Sequence, residues 1–182
     1  MGWEVGVIAR NNSSTLLKML EKMLKSGFDK NTAVELINSN LLLKSREESF
    51  ATLDASIIDL HTGSVEFIKV GASPSFVKKK KSGTVDIIKS ITLPVGILKD
   101  IDIDIYGKDL EDEDILVMCS DGIIESNAIY QNKELWVKNL LEDIDTNNVQ
   151  KVADLIITES IDNGYGIAKD DMTVMVLKII KK

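Results

Sequence analysis

Ile115-Leu116-Val117-Met118-Cys119 runs into the turn Cys119-Ser120-Asp121-Gly122, and further along Lys169-Asp170-Asp171-Met172-Thr173 leads into Thr173-Val174-Met175-Val176-Leu177. A short apolar, β-branched-rich run bounded by a turn signal has the pattern of a strand buried on both faces. Both runs are read as strands. If they lie antiparallel in one sheet, the exit of the first and the entry of the second fall at the same rim, and Asp121 converges with Asp170 and Asp171. Converging carboxylates on loops suit a hard cation.

Working outward, Asn11-Asn12-Ser13-Ser14 offers N-cap residues for Leu16, Leu17, Met19, Leu20, Met23 and Leu24, which recur at helical spacing until Gly27 stops them. A second helix starts near Asp29 with Ala33, Val34, Leu36, Ile37, Leu41 and Leu42 as its apolar face, and fades into Lys44-Ser45-Arg46-Glu47-Glu48. Residues 13–45 therefore read as an αα-hairpin, and residues 1–12 as irregular. After Ser49 the period becomes two. Ala51, Leu53, Ala55 and Ile57 alternate with polar residues, and the turn at Thr62-Gly63 leads into Val65-Glu66-Phe67-Ile68-Lys69-Val70, a β-hairpin. Strands are further expected over residues 75–79, 84–88 and 101–105, and helices over 133–142 and 148–161. Strands without a regular βαβ alternation argue for α+β with a mostly antiparallel sheet, in a single domain whose sheet and remaining helices occupy residues 50–182.

The chain has 182 residues, 44% hydrophobic and 28% charged, which suits a soluble globular domain with a real core. Its net charge of −7 disfavours a nucleic-acid partner. The run Lys78-Lys79-Lys80-Lys81 reads as a solvated hairpin tip, and Glu111-Asp112-Glu113-Asp114 as a solvated loop at the end of its strand away from Asp121. One cysteine, Cys119, excludes an internal disulfide and suits a reducing cytoplasm. The one histidine, His61, lies in a hairpin turn, a poor place to orient a base in a Ser/His/Asp triad. No apolar stretch has the length of a membrane span, and the first residues lack the pattern of a signal peptide.

Taken alone, Asp121-Gly122 reads equally as a turn or as a ligand loop, and Asp170-Asp171 as a ligand pair or a loop end. Together, with no His or Cys ligand set beside them, they match the oxygen-only donors of Mg²⁺ or Mn²⁺.

Five strings, in order, add to this: Thr52-Leu53-Asp54-Ala55-Ser56-Ile57-Ile58-Asp59-Leu60, Val70-Gly71-Ala72-Ser73-Pro74-Ser75-Phe76, Leu93-Pro94-Val95-Gly96-Ile97, Ser120-Asp121-Gly122-Ile123-Ile124-Glu125 and Asp170-Asp171-Met172-Thr173-Val174. With them the chain resembles the metal-dependent PPM (PP2C-like) protein phosphatases, and within them the sporulation branch, over nearly its whole length. The resemblance implies a PPM-type β-sandwich flanked by helices and a centre of two Mn²⁺ or Mg²⁺ ions. It assigns Asp121 and Asp170 as metal ligands, Asp171 as a weaker or indirect one, and Ser120, Gly122 and Thr173 as their neighbours.

In such a centre the nucleophile is a metal-activated water, so no protein nucleophile is required. The family carries a further metal-bridging aspartate in an Asp-Gly-Met-Gly-like motif. Met1-Gly2 resembles the tail of that motif, so the chain is expected to lack the first strands, to bind metal weakly and to have little activity alone. Asp54 and Asp59 do not replace the aspartate by pattern.

The implied substrate is a phosphorylated anti-sigma factor antagonist, with a homodimer as a further expected partner and a larger, membrane-attached parent. Two other readings compete: a related stress-response phosphatase, and a catalytically incomplete interaction module working through the αα-hairpin.

Overall fold

A computed structural model of the chain describes residues 3–7, 13–43, 50–127, 131–168 and 170–181. Met1-Gly2, Asn11-Asn12, the stretch from Lys44 to Glu48 and Lys169 lie outside the described residues. The elements in chain order are β1 (Trp3–Val7), α1 (Ser13–Lys25), α2 (Lys30–Leu43), β2 (Leu53–Asp59), β3 (Ser64–Val70), β4 (Ser75–Lys78), β5 (Val85–Ile88), β6 (Asp104–Asp109), β7 (Ile115–Cys119), α3 (Asp121–Ile124), α4 (Leu135–Asp143), α5 (Val149–Asn163) and β8 (Val174–Lys178). Helices and two four-stranded sheets make this an α+β protein, and the ladders β1–β2, β2–β3, β4–β5, β4–β7 and β7–β8 are all antiparallel. The chain divides into two compact units, Met1–Ala72 with Ser90–Lys108 and Ser73–Lys89 with Asp109–Lys182.

In the first unit the sheet order is β1-β2-β3-β6. Leu53, Ala55 and Ile57 of β2 share a core with Leu16 and Leu20 of α1 and Ala33, Val34, Ile37 and Leu41 of α2, so the period-two and helical patterns meet on one face. Gly27, at φ 87°, ends α1, and the Asp29 carboxylate caps α2 by accepting from the Thr32 amide at 3.0 Å. Asn38 is buried on α2. Its side-chain amide donates to the carbonyls of Leu98 (2.9 Å) and Lys99 (3.1 Å) and accepts from the Gly96 amide (2.7 Å), which pins the Pro94-Val95-Gly96 segment. Gly71, at φ 60°, completes this corner. A Cβ there would stand 2.5 Å from the Pro94 nitrogen, so no side chain fits.

Three expectations are corrected in this unit. The supposedly irregular residues 1–12 contain β1, which pairs from Trp3↔Asp59 to Val7↔Ala55. Backbone bonds along an open sheet edge make this strand, so side-chain periodicity did not announce it. The strand expected over 101–105 is β6, and its ladder begins only at Asp104, although Ile101, Ile103 and Ile105 do pack on the core. Leu36, assigned to the apolar face of α2, is 41% exposed. The buried face runs through Ala33, Val34, Ile37, Asn38 and Leu41, and at helical spacing Leu36 falls outside that stripe.

The second unit has the order β5-β4-β7-β8, with Phe76, Ile115, Val117 and Cys119 packed against Ile123, Trp136, Val137, Leu141, Val152 and Ile156. β7 is buried throughout, as its sequence requires of a central strand. β8 is only half-buried, a correction to the expected full burial: among the described residues it is the edge strand of its sheet, next to β7.

Lys78-Lys79-Lys80-Lys81 and Glu111-Asp112-Glu113-Asp114, expected as two solvated loops, meet at one end of this sheet. Lys79 pairs with the buried Asp114 at 2.8 Å and Lys81 with Glu111 at 2.6 Å. Lys78 turns away and donates to the carbonyls of Leu141 and Ile144 at the C-terminus of α4, where a cation is favoured.

Candidate active site

β7 and β8 place the two acidic turns. Their antiparallel register runs from Ile115↔Lys178 to Cys119↔Val174, so the residue after β7 and the residue before β8 face each other at one rim. Ser120, Asp121, Gly122, Asp170, Asp171 and Thr173 all lie in the second unit and all come together there.

The turn after β7 is the start of a short helix, α3, where the sequence alone reads as an Asp-Gly turn. Asp121 is its first residue, exposed, and Ile123 and Ile124 bury into the core beneath it. This anchors the aspartate from below. The carboxylate of Asp121 accepts from the Gly122 amide at 3.0 Å, and that of Asp170 from the Asp171 amide at 2.8 Å. Both aspartates thus hold the same local pose, with one oxygen on the amide that follows. Met172 roots the second turn by packing on the core and accepting from the buried Ser160 hydroxyl at 3.4 Å.

Between the turns the fit is close. A Cβ on Gly122 would stand 2.4 Å from the Asp171 carbonyl oxygen and 3.3 Å from the Asp170 Cβ, so a glycine is what lets the two loops touch. The Ser120 amide donates to the Thr173 carbonyl at 3.0 Å. Its hydroxyl donates to the Asp171 carbonyl at 2.9 Å and accepts from the Thr173 amide at 3.0 Å. The sequence placed Ser120 and Thr173 beside the site, but these bonds need a partner some fifty positions away, the separations being 51 and 53, and no local pattern encodes that.

Among the described residues no three His, Cys, Asp or Glu side chains form a group that could hold a metal ion. The turns supply exposed aspartates, hard oxygen donors of the kind that Mg²⁺ takes one or two at a time with water completing the shell. In kind, the donors fit such an ion. Asp54 and Asp59 are engaged elsewhere. Asp54 pairs across the sheet with the fully buried Lys69 at 2.8 Å, and Asp59 accepts from the His61 amide at 2.8 Å within the hairpin turn, which holds its carboxyl below the usual range. The His61 amide serves that turn, and Cys119 is buried in β7.

Two sheets with these helices and an aspartate at the end of each paired strand define the class: the fold is that of the PP2C-type phosphatase domains. A solved structure of the PP2C phosphatase domain with a fragment of the regulatory domain of SpoIIE from Bacillus subtilis superposes with a TM-score of 0.81, at 36% identity, over 97% of this chain and 58% of that one. The B. subtilis phosphatase domain presoaked with Mn superposes with a TM-score of 0.72, at 34% identity, over all of this chain and 88% of that one.

The sequence model of the family described as Stage II sporulation protein E (SpoIIE) matches residues 5–180, and the chain belongs to that family. It is 40% identical over 174 residues to stage II sporulation protein E of Bacillus subtilis strain 168, covering 96% of this chain and 21% of that protein. The chain thus spans about a fifth of the length of that relative. Among the described residues no helix is long and apolar enough to cross a membrane.

Proposed function

We propose that the chain carries a Mn²⁺- or Mg²⁺-dependent serine/threonine protein phosphatase activity directed at a phosphoserine on an anti-sigma factor antagonist in sporulation signalling. The observation that carries the reading is the meeting of Asp121-Gly122 with Asp170-Asp171 at the β7–β8 rim. Membership of the SpoIIE family supports it, as does a relative whose structure was determined after presoaking with Mn. The substrate comes from the family resemblance.

In this reading Asp121 and Asp170 hold the ion and Asp171 assists. Bound there, the ion supplies a Lewis acid for the phosphoryl oxygens and a water acidified enough to attack at neutral pH. The protein's part is to keep the two carboxylates exposed and at fixed spacing. The aspartates of the rim are exposed, which suits a phosphoserine carried on another protein's surface.

The test is phosphate release from a phosphoserine protein by the full-length protein, with Mn²⁺ and after chelation. Release that needs the ion and returns on its re-addition is expected. An undiminished rate in chelator contradicts the reading. A panel of phosphorylated antagonists separates sporulation from stress-response specificity.

A further inference from the structure

Ser120 occupies the N-cap position of α3 with extended backbone (φ −72°, ψ 165°), yet its side chain makes no capping bond to that helix. A serine there ordinarily satisfies one of the helix's first amides. Here the hydroxyl is turned to the opposite acidic turn, donating to the Asp171 carbonyl at 2.9 Å and accepting from the Thr173 amide at 3.0 Å. With its own amide bonded to the Thr173 carbonyl at 3.0 Å, Ser120 makes three bonds to the backbone on either side of Met172. Asp121 follows Ser120 directly, and Asp170 precedes Asp171 directly. The hydroxyl therefore sits one peptide unit from each of the two carboxylates.

We propose that Ser120 is a positioning residue whose hydroxyl sets the spacing of Asp121 and Asp170 and thereby the affinity of the pair for a divalent cation. The inference rests on the metal reading above and deepens it. Two carboxylates on loops already fastened together meet a cation with little further ordering, whereas loops that must first be brought to register lose that ordering entropy from the binding free energy. The backbone bond from the Ser120 amide survives any side-chain change, so removal of the hydroxyl loosens the second turn without detaching β8. Partners that orient a metal ligand are worth about ten- to hundredfold in metal affinity.

The experiment is a Mn²⁺ titration without substrate, followed by the electron paramagnetic resonance signal of the free ion, on wild type, Ser120→Ala, Ser120→Thr and Asp170→Ala. Thermal unfolding and amide exchange at Thr173 are recorded alongside. In Ser120→Ala the Thr173 amide is expected to exchange faster and Mn²⁺ affinity to fall about tenfold or more. Ser120→Thr, which keeps the hydroxyl, is expected to restore both. Mn²⁺ affinity equal to wild type in a folded Ser120→Ala whose Thr173 amide has become labile overturns the inference, as does a folded Ser120→Thr that regains protection at Thr173 without regaining affinity. Should Ser120→Ala not fold, Ser120→Cys replaces it: its weaker hydrogen-bonding thiol should bind Mn²⁺ less tightly than Ser120→Thr, and equal affinities overturn the inference. A wild type that takes up no Mn²⁺, or an Asp170→Ala that takes it up as wild type does, overturns the metal reading itself, and the inference with it.

Discussion

Gly122 is the residue on which the contact between the two acidic turns turns most sharply. The atom nearest a would-be Cβ, at 2.4 Å, is the backbone oxygen of Asp171, and backbone does not swing aside as the end of a flexible side chain does. Gly122→Ala should therefore push the second turn away from α3, destabilise the protein by about 1–3 kcal/mol in denaturant titrations, and weaken Mn²⁺ binding with it. Unchanged stability and binding would mean that the turns are not in contact. The three aspartates differ for reasons of the same kind. Asp121 stands on two buried isoleucines and Asp170 is held by its neighbour's amide, while Asp171 contributes main-chain groups, its carbonyl to Ser120 and its amide to Asp170. That the aspartates meet was legible from two apolar runs ending in acidic turns. That a serine hydroxyl fastens them was not, because a serine before Asp-Gly reads as an ordinary cap until its distant partner is known.

Among the elements, the end of β7 opposite the acidic turns buries the carboxylate of Asp114. Burial tends to raise the Asp114 carboxyl, but the Lys79 ammonium and the amides of Glu111 and Lys80 outweigh it and hold the group below the usual carboxylate range. A carboxyl lowered in the folded state adds stability above its unfolded pKa and loses it as the pH falls through the folded one. Asp114→Asn should thus cost about 2 kcal/mol at neutral pH, and the gap to wild type should close as the pH falls below the ordinary carboxylate range. Denaturant titrations across pH measure this; a gap that stays constant into acid would contradict it. The αα-hairpin, β2, β3 and β7 were legible as elements from helical spacing, alternation or an unbroken apolar run, although β2 is buried on both faces where its alternation reads as one buried face. β1 and α3 were not, since an edge strand rests on backbone pairing and a four-residue helix has no period to read. The ion pairs between the lysine run and the acidic turn escaped for a related reason: each is ordinary as a solvated charge run, and only the β4–β7 register, Lys78↔Ile115, brings them opposite each other.

For the whole molecule, the chain forms two units with separate cores, and every residue assigned to the candidate site belongs to the unit built on β5-β4-β7-β8. Family membership and fold define a PP2C-type phosphatase domain, while the substrate and the ion are the proposals made above. The family resemblance was legible from five ordered strings, and the register of β7 against β8 gives two of them a shared location. The most direct test of the central claim is the rate of Mn²⁺-dependent phosphate release from a phosphoserine protein by the full-length protein, compared with its Asp121→Ala and Asp170→Ala variants. Each variant should fall at least about a hundredfold while unfolding at the wild-type temperature, since loss of a ligand costs no less than loss of a group that orients one. Folded variants that both release phosphate at the wild-type rate would contradict the assignment.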